Sequence, residues 1–171
     1  MTPQEQRKER RPRTRGNERV EKEFDQKMIE VARVTRVMAG GKRMNFRACV
    51  VIGDRKGRVA MGLRKGADVS IAINKAVAAA KKNLIRVTII NDTIPHRIEE
   101  YYGGAHVLLK PAPKGTGILA GGAVRAVLEL AGVKNVVSKM LGSKNKANNI
   151  KATLIALEKL KDMKFIKALR S

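Results

Sequence analysis

The residues with the most chemical promise lie between Lys110 and Gly122, in the segment KPAPKGTGILAGG. Gly115, Gly117 and Ala120 stand there at G-x-G-x-x-A spacing, between the apolar run HVLLK and the helically spaced AVRAVLELAG. A strand, a glycine loop and a helix form the outline of a dinucleotide-binding turn, in which backbone amides approach a pyrophosphate. That chemistry also needs a carboxylate about 20 positions further on to hold the ribose hydroxyls. The corresponding region, KNVVSKMLGSK, has none, and no Gly-Lys-Ser or Gly-Lys-Thr closes a loop of P-loop length. Two readings of the segment stay open. Its amides, at a helix N-terminus and flanked by Lys110 and Lys114, can face an anion such as an RNA phosphate. Alternatively, its glycines only permit a sharp turn and close helix packing.

Other catalytic chemistry is poorly supplied. Between Tyr101 and Leu157 the sole carboxylate is Glu129, beside eight Lys or Arg, so a carboxylate pair for acid and base work is missing. Glu99 and Glu100 are adjacent in a strand-like run and are expected on opposite faces of a solvated hairpin. Cys49 is the only cysteine and alternates inside a strand-like run, which reads as a buried, inert thiol and excludes an intramolecular disulfide. His96 and His106 are the only histidines, and they form no metal-ligating cluster with a second Cys or with carboxylates. The expectation is a protein without cofactor, metal or catalysis.

Charge points elsewhere. The 171 residues carry 37 Lys and Arg against 15 Asp and Glu, a formal charge of +22, which calls for a polyanionic partner. Residues 1–25 hold eight basic and six acidic side chains with Val20 and Phe24 as their only sizeable apolar residues, so they read as a basic, disordered tail. The positive charge therefore belongs mainly to the folded part. No run approaches the ~20 apolar residues of a membrane span, and the N-terminus has no apolar secretory segment, so a cytoplasmic protein with no membrane partner is the simplest expectation. Aromatic residues make up 3% of the chain and Trp is absent, which leaves few platforms for base stacking. Structured RNA, recognised through its backbone and shape, fits better.

The elements that would carry this charge fall into two blocks. In residues 26–83, KMIEVARVTRV reads as a strand from its β-branched content, with a helix not excluded by its spacing. Phe46 to Ile52 and Arg58 to Arg64 alternate as two strands of a hairpin, and Val69, Ile73, Ala76, Val77, Ala80 and Leu84 fall at helical spacing behind Asp68 as N-cap. One face of that three-stranded sheet is covered by the helix, and the other is expected to be free for RNA or protein. In residues 84–162 the β-branched IRVTII opens a second α/β block. RIEEYY and AHVLLKP flank a Gly103-Gly104 turn, a helix runs from Val124 to a Gly132 cap, NVVSKML is a short strand, and Ile150 to Leu160 form a last helix. Residues 163–171 read as a short tail.

Candidate phosphate contacts cluster in basic glycine loops: Gly40, Gly41, Lys42 and Arg43 in GGKR, Arg55 and Lys56 in DRKG, Arg64 and Lys65 in LRKG, Lys144 and Lys146 in GSKNK. Arg47, Arg58 and Arg64 would extend this surface across the first sheet. Arg36, beside the first loop, and Arg125, in the helix after the glycine segment, complete the set with Lys110 and Lys114.

GGKRMNFRACVVIGDRKGRVAMG and GADVSIAINKA resemble the N-terminal signature of the bacterial family of the fifth small-subunit ribosomal protein. TIPH, VLLKPAPKGTGILAGGAVRAVLELAGVKNVVSKMLGS and NIKATLIALEKL resemble its C-terminal part, so the likeness spans roughly residues 24–161 in order. The resemblance implies an α+β fold: an N-terminal domain similar to a double-stranded-RNA-binding fold, and a C-terminal two-layer α/β domain with a left-handed crossover. It implies a structural role in the small subunit, on 16S ribosomal RNA where head meets body. The implied neighbours are the fourth and eighth small-subunit proteins and the path by which messenger RNA enters, with an influence on translational accuracy and no homo-oligomer. Gly40, Gly41, Lys42 and Arg43 match the family loop linked to spectinomycin sensitivity. Arg64 departs from the family pattern, which often has glycine there. GILAGGA lacks the hydroxyl residues with which small-molecule kinases of the same C-terminal fold bind nucleotide phosphates.

Overall fold

Alternating side chains in the first block build three long strands: β1 (Asp25–Met38), β2 (Gly41–Gly53) and β3 (Arg58–Gly66). The computed structural model describes residues 23–161, so the tails expected at 1–25 and 163–171 lie outside the described residues, except for the last three of the first. After helix α1 (Val69–Lys81), a two-residue strand β4 (Ile85–Arg86) pairs with β3, and the sheet runs β1-β2-β3-β4, antiparallel throughout. IRVTII therefore begins by finishing the first sheet, and only its first two residues pair as a strand. The backbone then turns at Asn91 and Asp92, both at positive φ, while Val87 and Ile94 are buried. Asp68 holds the N-cap position of α1, but its side chain makes no cap bond. The Asp68 carbonyl instead accepts the Ala72 amide at 3.0 Å.

Opposed residues of an antiparallel pair share a face. Ala48, Val50, Ile52 and Ala60 lie on one face of the sheet and pack under Ala72, Ala76 and Ala80 of α1. Cys49, Val51 and Val59 lie on the other, and this is where sequence expectation and structure part. That face is not free: it packs into one core with Val107, Leu109, Val124, Val127, Leu128 and Leu157 of the second block. The physical reason is visible in β2, whose residues 48–52 are apolar at both parities, the pattern of a strand buried on both sides.

The second block consists of β5 (Ile98–Tyr102), β6 (Ala105–Pro111), β7 (Ile118–Leu119), α2 (Gly122–Ala131), β8 (Val136–Met140) and α3 (Lys146–Glu158). Its sheet is ordered β5-β6-β8-β7 and is mixed: β7 and β8 are parallel, joined through α2, and the other pairs are antiparallel. Along β6, Ala105, Val107 and Leu109 are buried while His106, Leu108 and Lys110 alternate onto the opposite, open face. The Gly103-Gly104 turn joins β5 to β6, and Gly132 ends α2 at φ 90°, its amide facing the Leu128 and Glu129 carbonyls. Glu99 and Glu100 do take opposite faces: Glu99 pairs with Arg97, and Glu100 with Lys159 at 2.8 Å.

The two blocks are fastened where the β2–β3 loop meets the end of α2. The Arg55 amide donates to the Leu130 carbonyl at 3.0 Å and the Gly57 amide to that of Ala131 at 2.9 Å. Nearby, Glu129 of α2 bonds Lys27 of β1 at 2.9 Å and Arg125 at 2.8 Å. A side chain at Gly62 would bring its Cβ to 1.9 Å from the Ala76 carbonyl oxygen of α1, so Gly62→Ala is expected to destabilise the protein by at least about 2 kcal/mol in urea unfolding. The bonds from Lys27 and Arg125 hold the Glu129 carboxyl below its ordinary 4.5. A depressed carboxylate pKa gives stability that is present above the unfolded value and is lost as pH falls through the folded one. Glu129→Gln is therefore expected to flatten the decline of the urea midpoint below pH 4.5, with little change in that slope above it.

Candidate nucleic-acid interface

β3 ends at Gly66 opposite Phe46, and beyond that point β1 and β2 continue alone to their turn. The result is a two-stranded ribbon that runs on for about 15–20 Å at the usual rise per residue. The register decides which charges it presents together. Arg36 opposes Arg43, and further down the same face Arg47 stands between Ala32 and Lys65. Lys42 opposes Val37 on the other face, so neighbours Lys42 and Arg43 point away from each other. Gly40 and Gly41, at φ 85° and 154°, form the tip, where a side chain would strain the backbone. Val37, Met38 and Met44 are exposed by 73%, 47% and 52%, which makes the ribbon apolar as well as basic. Among the described residues no carboxylate pairs with Arg36, Lys42, Arg43, Arg47 or Lys65.

Other candidate residues are placed differently. DRKG lies at the opposite end of β2 from GGKR, roughly 40 Å away for an extended strand of that length. Its arginines are engaged internally: Arg55 with Asp25 at 2.8 Å, and Arg58 with Asp54 at 2.7 Å and Glu23 at 3.3 Å while stacking over Phe24. Lys56 is exposed beside them. Arg125 is likewise engaged, with Glu129. Arg47, Arg58 and Arg64 do not share a face: Arg64 opposes Ala48 on the α1 side together with Arg58, and Arg47 lies on the other side. Arg64 sits in a regular strand, so its side chain is accommodated where the family often has glycine. Lys110 lies on the open face of the second sheet opposite Val137, Lys114 is exposed in the glycine segment, and Lys144 and Lys146 lead into α3, which Asn145 caps.

The glycine segment is shaped by a residue whose role the sequence did not announce. Asn135 is buried just before β8, and its Oδ1 accepts the amides of both Gly115 and Gly117 at 3.1 Å. Its own carbonyl accepts from the Thr93 hydroxyl at 2.6 Å, and Thr93 Oγ1 in turn accepts the Ala112 amide at 3.3 Å. The amides that would cradle an anion are therefore occupied by a neutral internal acceptor. The turn reading holds for residues 113–117, with Gly115 and Gly117 at φ 94° and 71°. Cys49, as read from the sequence, is buried, and burial, with the nearby Glu30 charge adding to it, pushes its thiol up to about 11. No three His, Cys, Asp or Glu among the described residues are placed to hold a metal.

Removing the Asn135 amide leaves two loop amides without an acceptor, so Asn135→Ala is expected to cost about 1–3 kcal/mol of stability. Hydrogen exchange should localise the damage, with faster exchange at Gly115 and Gly117 and little change in α1.

Comparison with known families assigns both blocks. Residues 24–88 match the family described as ribosomal protein S5, N-terminal domain, and residues 100–170 match ribosomal protein S5, C-terminal domain. The antiparallel sheet with its helix and the mixed-sheet α/β block fit those two domains in that order. The chain belongs to the ribosomal protein S5 family, the structural, non-enzymatic and RNA-binding components of the small ribosomal subunit.

Proposed function

We propose that this chain binds 16S ribosomal RNA mainly through the β1–β2 ribbon, and that through this contact it steadies the arrangement of head and body in the small subunit and supports translational accuracy. The observation that carries the reading is the face shared by Arg36, Arg43, Arg47 and Lys65, which is basic, exposed and without a carboxylate partner among the described residues. Phosphates supply the missing counter-charge, and binding of that kind is strongly salt-dependent. Lys42, Val37 and Met44 serve the ribbon's other face, so that RNA meets it on two sides. Lys56, Arg64, Lys110, Lys114, Lys144 and Lys146 add peripheral phosphate contacts, while Arg55, Arg58 and Arg125 contribute chiefly to the fold. Residues 26–83, whose sheet is completed by β4 (Ile85–Arg86), and the rest of 84–162 act as two units on a common core. The fourth and eighth small-subunit proteins are its protein neighbours, the path of incoming messenger RNA runs close by, and the chain works as a single copy.

The ribbon is tested by Arg36→Glu with Arg43→Glu in the full chain. Both side chains are exposed and make no ion pair among the described residues, so the unfolding free energy in urea should stay within about 0.5 kcal/mol of the parent. Affinity for 16S ribosomal RNA should fall at least tenfold at about 150 mM salt, and the slope of log affinity against log salt should drop by about 2, one for each lost phosphate contact. Subunits carrying the variant should misread more often in a decoding assay. Unchanged affinity and an unchanged salt slope would remove the ribbon from the interface.

A further inference from the structure

Past the end of β3 the β1–β2 ribbon has two unlike faces, because opposed residues and residues two apart along a strand share a side. Arg36, Arg43 and Arg47 stand on one. Val37, Lys42, Met44 and Phe46 stand on the other, the side that α1 covers further along β2. On this second face Val37 lies diagonal to Met44, and Phe46 follows Met44 along β2 with Arg33 directly across from it. Val37 and Met44 are exposed by 73% and 52%, and Phe46 is half-buried. The three make an apolar stripe. Lys42 and Arg33 border it, and neither has a carboxylate partner among the described residues.

Apolar side chains scattered singly on a surface need no partner, whereas a stripe of them on a projecting arm calls for one. The cations on both faces of the arm say that the partner is a polyanion. A regular A-form duplex would satisfy the cations and leave the stripe unanswered. Its deep, narrow major groove is closed to side chains, and its minor groove presents phosphates, hydroxyls and base edges, all of them polar. The apolar surface that RNA can offer is the face of a base that has left the stack. Met, Phe and other apolar side chains can act as wedges against bases displaced in this way.

We infer that this face of the ribbon recognises an unpaired base, displaced from an RNA helix at a bulge or internal loop. The base lies against Val37, Met44 and Phe46, and the phosphates on either side of it meet Lys42 and Arg33. This rests on the RNA-binding reading above and narrows it: the ribbon requires an interrupted helix, while the arginines of its opposite face bind phosphate on either kind of RNA. With aromatic residues at 3% of the chain, one small platform of this kind fits the composition better than a channel for a single strand.

Affinities of the full chain for three short RNAs at about 150 mM salt test the inference. The probes are an uninterrupted hairpin, the same hairpin with a bulge of unpaired nucleotides, and that bulge with its bases removed to leave abasic sugars. The bulged RNA should bind at least about fivefold tighter than the other two, the effect of one base stacked on a protein side chain. Val37→Ser with Met44→Ser should erase that preference without altering the salt slope, since no phosphate contact is lost. Val37→Ile with Met44→Leu should keep it. The exchanged side chains are exposed, so the fold should survive, and the abasic probe puts the same question to the unaltered chain. Equal affinity for the bulged and uninterrupted RNAs would overturn the proposal. Equal affinity for the bulged and abasic RNAs would do so too, by showing that the bulge is read through its shape. A preference that survives Val37→Ser with Met44→Ser would also overturn it and leave the stripe to a protein neighbour. Arg36→Glu with Arg43→Glu separates this inference from the reading beneath it. If that variant loses affinity for three RNAs that the parent binds alike, only the base contact fails, and if it loses affinity for none of them, the ribbon reading fails as well.

Discussion

From Ala48 to Ile52 every side chain of β2 is buried, and because successive side chains point to opposite faces the first sheet must be covered on both. Helix α1 covers one side with alanines, whose small volume lets the backbone come close enough that Gly62 and Gly66 leave no space for a Cβ. The second block covers the other. A sheet sandwiched in this way keeps little of its surface bare. What stays exposed is the part that outruns its covers, the ribbon formed where β1 and β2 extend past β3.

The same constraint sorts the charges. Where the blocks meet, carboxylates are engaged: Glu129 reaches across to Lys27 and bonds Arg125 of its own helix, and Asp54 bonds Arg58 within the β2–β3 loop. Beyond those joints Arg97, Lys134 and Lys159 still find carboxylates, whereas among the described residues Arg36, Lys42, Arg43, Arg47 and Lys65, on the ribbon and at its base, make no ion pair. A net charge of +22 would repel itself if it were spread through the joints. Neutralising the seams and leaving the projections bare keeps the fold stable while the surface stays attractive to a polyanion.

Strand and helix order was legible because the periods are clear: the alternation of residues 46–52 and 58–64, the helical spacing after Asp68, and the glycines at 103, 104 and 132. The family motifs were legible for the same stretches. Less legible were properties that belong to pairs of segments distant in sequence. That Arg36 and Arg43 share a face, while Lys42 and Arg43 do not, follows from a register set by the turn and visible only once the pairing is known. The double-sided burial of β2 was present in the sequence as apolar residues at both parities, yet the covering element lies some eighty positions away. Asp68 shows the opposite failure, a side chain of the right type in the cap position that makes no cap bond.

Asn135 carries the last step, because it explains how a phosphate-binding spacing can serve a different end. A G-x-G pattern reports only that backbone amides are free to turn toward a common point. What they meet there depends on the next strand. In a nucleotide enzyme the point is left vacant for an anion, with a carboxylate further on to hold the sugar. Here the residue before β8 places a neutral amide oxygen at that point, and Thr93 fixes the Asn135 backbone behind it. The loop becomes a rigid joint between β6 and β7.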